Sequence, residues 1–200
     1  MTLKIEDIIM EALKRKILEE AEILPGSILR VDGFLNHQID IKLLSECGRE
    51  WYERFKNDGV TKILTIESSG IAVACLTAQH FGLPVVYARK GKGTYIGEEL
   101  YSVKAVSYTH GKAYDVMVSK DYINSGDKIL IIDDFLSGAS DLKALITISE
   151  LAGATVVGAG VAVEKVYQGG GNRLRDLGYR IESLAKISSL DNGKVEFCVE

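Results

Sequence analysis

Asp133 and Asp134 stand side by side at the end of an apolar run, in "ILIIDDFLSGAS" from Ile129 to Ser140. Two adjacent carboxylates left dry and unpaired would each carry a heavy desolvation cost. Their placement therefore calls for partners, and hydroxyl groups or a cation can supply them. The residues that follow, Ser137, Gly138, Ala139, Ser140 and Asp141, are small or polar and lead into a helical pattern. A short loop at a helix N-terminus offers backbone N–H groups to a phosphate. Gly138 permits close backbone approach, and Ser137 and Ser140 add hydroxyls. A phosphorylated sugar suits both halves, with its hydroxyls on the acids and its phosphate on the loop. The plain alternative is a βα loop in which Ser140 or Asp141 caps the helix.

Three further groups carry chemistry. "ESSGIA" puts Glu67, Ser68, Ser69 and Gly70 in a second small-residue loop, able to hold a phosphate through backbone N–H groups or to serve as a tight turn. Arg89 and Lys90 close a β-type run ahead of the polar stretch "GKGTYIGEEL". They can meet a pyrophosphate or stay solvated, and the polar stretch reads as a lid or a surface hairpin. Lys165 follows the apolar "GAGVAVE", preceded by Glu164. It can meet an anionic or carbonyl-bearing ring, or pair with a nearby acid.

The elements that must position these groups repeat a strand–loop–helix order. Residues 3–20 and 39–57 have helical periodicity, and "LPGSI" breaks the chain between them. "TKILTIESSG" is a strand entering a loop, and "IAVACLTAQHFG" is a helix ending at Gly82. "LPVVYARK", "DKILIIDD" and "ATVVGAGVAVEK" are strands, with the helix "DLKALITISELAG" before the last. Two β-type runs flank "YTHGKAY" as a hairpin. Near-continuous apolar strands argue an α/β fold with a parallel sheet covered on both faces. In such folds ligands bind at the carboxyl ends of the strands, where all four groups fall. The tail, "YRIESLAKISSL" and "KVEFCVE", is not placed by pattern.

Length and composition bound the rest. Two hundred residues suit a single domain, and 46% hydrophobic with 26% charged residues allows an ordinary core. A net charge of -4 without basic blocks argues against nucleic acid. No apolar run is long enough for a membrane span, and no signal peptide pattern is present. Cys47, Cys75 and Cys198 form no metal or disulfide pattern, which points to a reducing cytoplasm.

The motifs together resemble those of type I phosphoribosyltransferases, and within them the xanthine-using bacterial branch. The likeness rests on "MEALKRKI", "VDGFLNHQID", "TIESSGIA", "PVVYARK", "ILIIDDFL", "ELAGA", "VEK" and "LGYRIESLAKI", in family order from about residue 10 onward. It implies the type I phosphoribosyltransferase fold, a parallel sheet flanked by helices with a small hood from about 24–40 plus the C-terminal tail. Residues 1–9 would be an N-terminal extension of a single domain. The implied reaction joins xanthine to 5-phosphoribosyl-1-pyrophosphate, giving xanthosine 5′-monophosphate and pyrophosphate, with Mg2+, in a cytoplasmic homodimer.

Carried over residue by residue, Asp133 and Asp134 would be the ribose-side acids and candidate metal contacts. Ser137–Asp141 would cradle the 5′-phosphate. Glu67–Gly70 and Lys90 would hold the pyrophosphate, Lys90 across the dimer interface. Leu29, Asn36 and Lys165 would contact xanthine, whose acidity suits a lysine. His37, next to Asn36, is read as structural rather than as a base. The chain departs from the usual loop, "DDFLANGQAA", which here reads "DDFLSGASDL", so that the glycine lies one position early and Asp141 brings a negative charge. Turnover of another purine, or nucleotide binding without turnover, are the competing readings.

Overall fold

The apolar runs become the centre of one sheet. The computed structural model describes residues 5–91, 99–106 and 113–199. Helix α1 (Ile5–Glu20) leads into a small hairpin, β1 (Glu22–Leu24) and β2 (Ile28–Arg30), followed by a π-helical turn at Asp32–Asn36. Helix α2 (Ile41–Phe55) starts at Asp40, whose carboxylate accepts from the Leu43 N–H at 3.1 Å. It satisfies one of the four free donors of the first turn.

Strand β3 (Lys62–Ile66), helix α3 (Gly70–Phe81) and β4 (Val85–Gly91) form the first parallel crossover. Strands β5 (Leu100–Val106) and β6 (Ala113–Ser119) make an antiparallel hairpin that continues the sheet from β4. Strand β7 (Lys128–Leu136), helix α4 (Ser140–Leu151), strand β8 (Thr155–Lys165), helix α5 (Gly170–Asp176) and strand β9 (Ile181–Ser189) complete the parallel part. Strand β10 (Glu196–Phe197) pairs antiparallel with β9. The order across the sheet is β10-β9-β8-β7-β3-β4-β6-β5, of which β9, β8, β7, β3 and β4 are mutually parallel.

Both faces are covered, as continuous apolar strands require. Leu130 and Ile132 of β7 pack with Leu13, Leu44, Trp51, Phe55 and Val73 of the first three helices. Ile129 and Ile131 turn to the other face, with Leu142, Leu145 and Ile148 of α4. Phe34 and Phe55 are fully buried, each worth about 1.5–3 kcal/mol of transfer free energy. Trp51 is also fully buried and donates its indole N–H to the Glu182 carbonyl at 3.1 Å.

From β3 the order runs to β4 on one side and to β7 and β8 on the other. The crevice at the carboxyl ends of β3 and β7 is therefore the topological switch point, the place where such sheets bind ligands. The loop 67–70 and the segment from Asp133 both open there.

Several expectations are corrected. Strand β7 runs on through Leu136, so the aspartates lie inside its last turn of pleat rather than beyond it. Arg89 and Lys90 close β4 as expected, with only Gly91 beyond them. The hairpin's two strands are part of the sheet, while residues 92–98, the bulk of the expected lid, and 107–112, most of the expected turn, lie outside the described residues. Helix α5 is an element that the sequence pattern did not indicate, and the unplaced tail supplies β9 and β10. Among the described residues, no helix is long and apolar enough to cross a membrane.

Candidate active site

The acid pair is buried, with Asp133 at 6% and Asp134 at 5% exposure. The Asp134 backbone N–H donates to Asp133 Oδ1 at 3.0 Å, and no lysine or arginine among the described residues forms an ion pair with either side chain. Burial, with Asp134 and then Asp141 adding repulsion, pushes the Asp133 carboxyl well above the usual carboxylate range. Two dry carboxylates without a cation fit either hydroxyl donors or a hard divalent cation with oxygen ligands. Among the described residues, no group of three or more side chains would cage a metal alone. A cation here would need oxygens from its ligand as well.

Helix α3 starts against this pair. A Cβ at Gly70 would lie 2.3 Å from Thr65 Oγ1 and 2.7 Å from Asp133 Oδ1, so only glycine lets the helix start this close. Thr65 is fully buried and its Oγ1 has no hydrogen-bond partner among the described residues. Ser69 precedes α3 without capping it by its side chain, and the Glu67–Ser68 peptide is cis. The first turn of α3 thus faces the crevice without a side-chain cap. Glu67 Oε1 accepts from the Lys90 backbone N–H at 2.7 Å, which fixes loop 67–70 to β4.

In the loop after β7, Ala139 precedes α4, and no side chain caps the helix. This removes the reading of Ser140 or Asp141 as an ordinary cap. Ser140 Oγ instead accepts from the Val106 N–H at 3.0 Å. The left-handed residue of the loop is Ala139, at φ +66°, and not Gly138. That is the position at which the usual family loop has its glycine, so the displaced glycine leaves a Cβ in a conformation that disfavours it.

Ala139→Gly should relieve about 1–2 kcal/mol of steric cost and give back part of it, about 0.4–1 kcal/mol, as unfolded-chain entropy. A net rise of roughly 2 °C in the midpoint of thermal unfolding is expected. A fall would show that the Cβ is accommodated without strain.

The loop is buttressed from behind by α5. A Cβ on Gly170 would lie 2.0 Å from the Ser137 carbonyl oxygen, and Arg173 donates to the Gly138 carbonyl at 3.2 Å. Helix α5 is itself anchored to β8. Buried Glu164 accepts from both terminal nitrogens of Arg175, at 2.8 and 2.6 Å, and from the Ser183 hydroxyl. Burial alone would raise the Glu164 carboxyl, but Arg175 and Ser183 outweigh it and hold it below the usual range. Glu164 therefore has a scaffold role.

Among the described residues, Lys165 has no acidic partner. Its Nζ donates to the Ser27 carbonyl at 3.1 Å, linking β8 to the turn of the β1–β2 hairpin, and lies 6.0 Å from the Phe135 ring centroid. Burial lowers its pKa. An anion beside it would be stabilised by that unspent charge. Asn36 ends the π-helical turn of the same hood segment and is hydrogen-bonded to none of the other candidates. Its Oδ1 is buried without a partner among the described residues. An unfilled buried acceptor costs about 1–3 kcal/mol, which a ligand N–H would recover. The Leu29 side chain is committed to the core, so what Leu29 can offer a ligand is its main chain. His37 is exposed.

Sequence pattern did not single out Thr65, Tyr114, Phe135, Gln168 or Arg173. Gln168 Oε1 is a further buried acceptor without a partner among the described residues. Tyr114 donates its hydroxyl to Asp141 Oδ1, and Lys90 Nζ donates to Asp141 Oδ2 at 2.7 Å. Asp141 thus neither enters the loop's interior nor turns outward alone.

Comparison with known proteins gives a consistent family. The chain is 47% identical over 191 residues to the xanthine phosphoribosyltransferase of Bifidobacterium adolescentis, covering 94% of this chain and 99% of that protein. It is 48% identical over 188 residues to the xanthine phosphoribosyltransferase of Clostridium novyi, with the same coverage. No protein-family model matches the chain. Among solved structures, the adenine phosphoribosyltransferase of Rhodothermus marinus superposes with a TM-score of 0.73 at 24% identity, covering 90% of this chain and 99% of that one. That of Giardia lamblia gives 0.74 at 21% identity, covering 94% and 100%. At these identities the structural likeness speaks for the fold.

Proposed function

The chain belongs to the xanthine phosphoribosyltransferase family, and on that premise we propose how its residues divide the work of joining xanthine to 5-phosphoribosyl-1-pyrophosphate. The reaction is purine salvage. A ring nitrogen of xanthine attacks the anomeric carbon, the bond to pyrophosphate breaks with inversion, and xanthosine 5′-monophosphate leaves with pyrophosphate. The observation that carries the base assignment is a pair of unspent groups. Among the described residues, Lys165 is a half-buried ammonium with no acid, and Asn36 Oδ1 is a buried acceptor with no donor. Xanthine offers both complements, a ring N–H for the asparagine and an oxygen carrying anionic character for the lysine.

At the sugar, Asp133 and Asp134 accept the ribose hydroxyls and face the positive charge that develops on the ring as pyrophosphate departs. The backbone N–H groups of Ser137–Asp141 and the N-terminus of α4 take the 5′-phosphate, with the Asp141 carboxylate itself held aside on Lys90 and Tyr114. Glu67–Gly70 and Lys90 take the pyrophosphate. Asp133 and Asp134 would hold Mg2+ together with oxygens of the ligand, and the ion would supply neutralisation of the pyrophosphate charge. Ser137 stands where related hypoxanthine–guanine enzymes place an acid, so no protein base takes the purine proton, which passes to water, helped by xanthine's own acidity and by Lys165, which stabilises the anion left behind. The active form is a homodimer in the cytoplasm, a compartment that suits three free cysteines, of which Cys47 is buried with its thiol pushed up to about 12.

The test is turnover with each purine, phosphoribosyl pyrophosphate and Mg2+. Xanthine should exceed guanine and hypoxanthine by at least about tenfold in kcat/KM, and equal rates would overturn the assignment. Lys165→Met should raise the KM for xanthine about 10–100-fold, the worth of one charged hydrogen bond. An unchanged KM would remove Lys165 from the base site.

A further inference from the structure

Lys90 is already engaged at the sheet edge. Its Nζ donates to Asp141 Oδ2 at 2.7 Å and lies 5.6 Å from the Tyr114 ring centroid, while the Tyr114 hydroxyl donates to Asp141 Oδ1. Strand β4, strand β6 and the first turn of α4 thus meet on one carboxylate. Val106 N–H on Ser140 Oγ ties β5 to the same turn. Asp141 sits where the helix dipole favours negative charge, which is also where a phosphate would be drawn. In charge and in the donors it recruits, its carboxylate resembles a phosphate oxygen. Lys90 is 37% and Asp141 29% exposed, and ion pairs this accessible are weak enough to be exchanged for a multiply charged ligand.

We propose that Asp141, held by Tyr114, is a built-in competitor for Lys90: it occupies the lysine until the phosphoribosyl donor displaces it, and so sets donor affinity. Asp141 and Tyr114 are then positioning residues that act through Lys90. Binding of the donor in the site across the dimer interface breaks the Lys90–Asp141 contact within this chain and hands the ammonium to that pyrophosphate, while Asp141 keeps the Tyr114 hydroxyl. This inference rests on the reading in which Lys90 meets the pyrophosphate.

The experiment is a double-mutant cycle on the full chain, read as the Kd of phosphoribosyl pyrophosphate with Mg2+ by titration calorimetry. Asp141→Asn should tighten binding 5–20-fold, and Tyr114→Phe should act in the same direction by 2–5-fold. Lys90→Gln should weaken binding about tenfold, and in its background Asp141→Asn should have less than a third of its effect. If Lys90→Gln changes nothing, the pyrophosphate reading falls and this inference with it. If Lys90→Gln weakens binding but Asp141→Asn does not tighten it, the competitor role alone falls. If Asp141→Asn tightens binding equally with and without Lys90, direct repulsion between Asp141 and the ligand is the cause, and the competitor role is again overturned.

Discussion

Asp133→Asn should abolish most turnover and yet stabilise the ligand-free protein. Asp133 is buried beside Asp134, with Asp141 adding to the field, and its carboxyl titrates well above the usual range. A carboxyl whose folded pKa is raised binds a proton more tightly in the folded chain than in the unfolded one. Below the unfolded value of 3.8 the group is neutral in both states and costs nothing. As pH rises from there toward the folded pKa, the unfolded chain releases its proton first, and stability is lost over that window. At neutral pH, with ligand and Mg2+ absent, Asp133 therefore works against folding. Asparagine keeps an oxygen to accept the Asp134 N–H and removes the titration.

The expected gain is on the order of 1 kcal/mol at pH 7.5, or about 2–4 °C in Tm, shrinking to nothing near pH 4. The same change withdraws a negative group from the developing charge on the sugar, a loss of about 100–1,000-fold in kcat. Scanning fluorimetry from pH 4 to 8, with steady-state kinetics at pH 7.5, checks both arms. A variant less stable than the parent at pH 7.5 would mean that Asp133 is paid for by its surroundings rather than strained by them, and retained turnover would take it out of the sugar site.

How far such a site can be read from sequence depends on the range of the forces that build it. The strands are legible because a strand buried on both faces must be apolar throughout, as Ile129–Ile132 and Val161–Val163 are. The acid pair stands out because it ends such a run. The hood has no comparable pattern, since β1 and β2 are three residues each, and only its likeness to a family points to Asn36. The contacts on Asp141 were not legible. They join residues 51 and 27 positions apart, and nothing local distinguishes Tyr114 from any hairpin aromatic.

The left-handed residue of the loop is not legible for a related reason. Gly138 carries the permissive residue type, but the left-handed backbone falls on Ala139, the residue directly before α4. Helix α5 is short and begins in glycines, so propensity argues against it. It forms because Arg175 and buried Glu164 pin it to β8.

That pinning makes Gly170→Ala the most disruptive small change available near the site. The new methyl carbon would lie 2.0 Å from the Ser137 carbonyl oxygen and 2.8 Å from the Ala139 nitrogen. Both are backbone atoms of the phosphate loop, so no side-chain rotation relieves the clash. Helix α5 cannot retreat without stretching the Glu164–Arg175 contacts, whereas the loop has solvent and the crevice on its other side. The loop should therefore move, by enough to spoil convergence of its N–H groups on a phosphate. Overpacking of this kind costs about 1–3 kcal/mol of stability, and the KM for phosphoribosyl pyrophosphate should rise by tenfold or more while the KM for xanthine moves less than threefold.

Arg173→Ala removes the 3.2 Å contact to the Gly138 carbonyl and a longer one, 3.4 Å, to the Gln168 carbonyl, of which only the first touches the loop, and should raise the same KM by about threefold, the worth of one modest hydrogen bond. The order of the two effects is the discriminating result. A larger penalty for Arg173→Ala would mean that the guanidinium meets the ligand itself, and that α5 is part of the binding surface rather than its support.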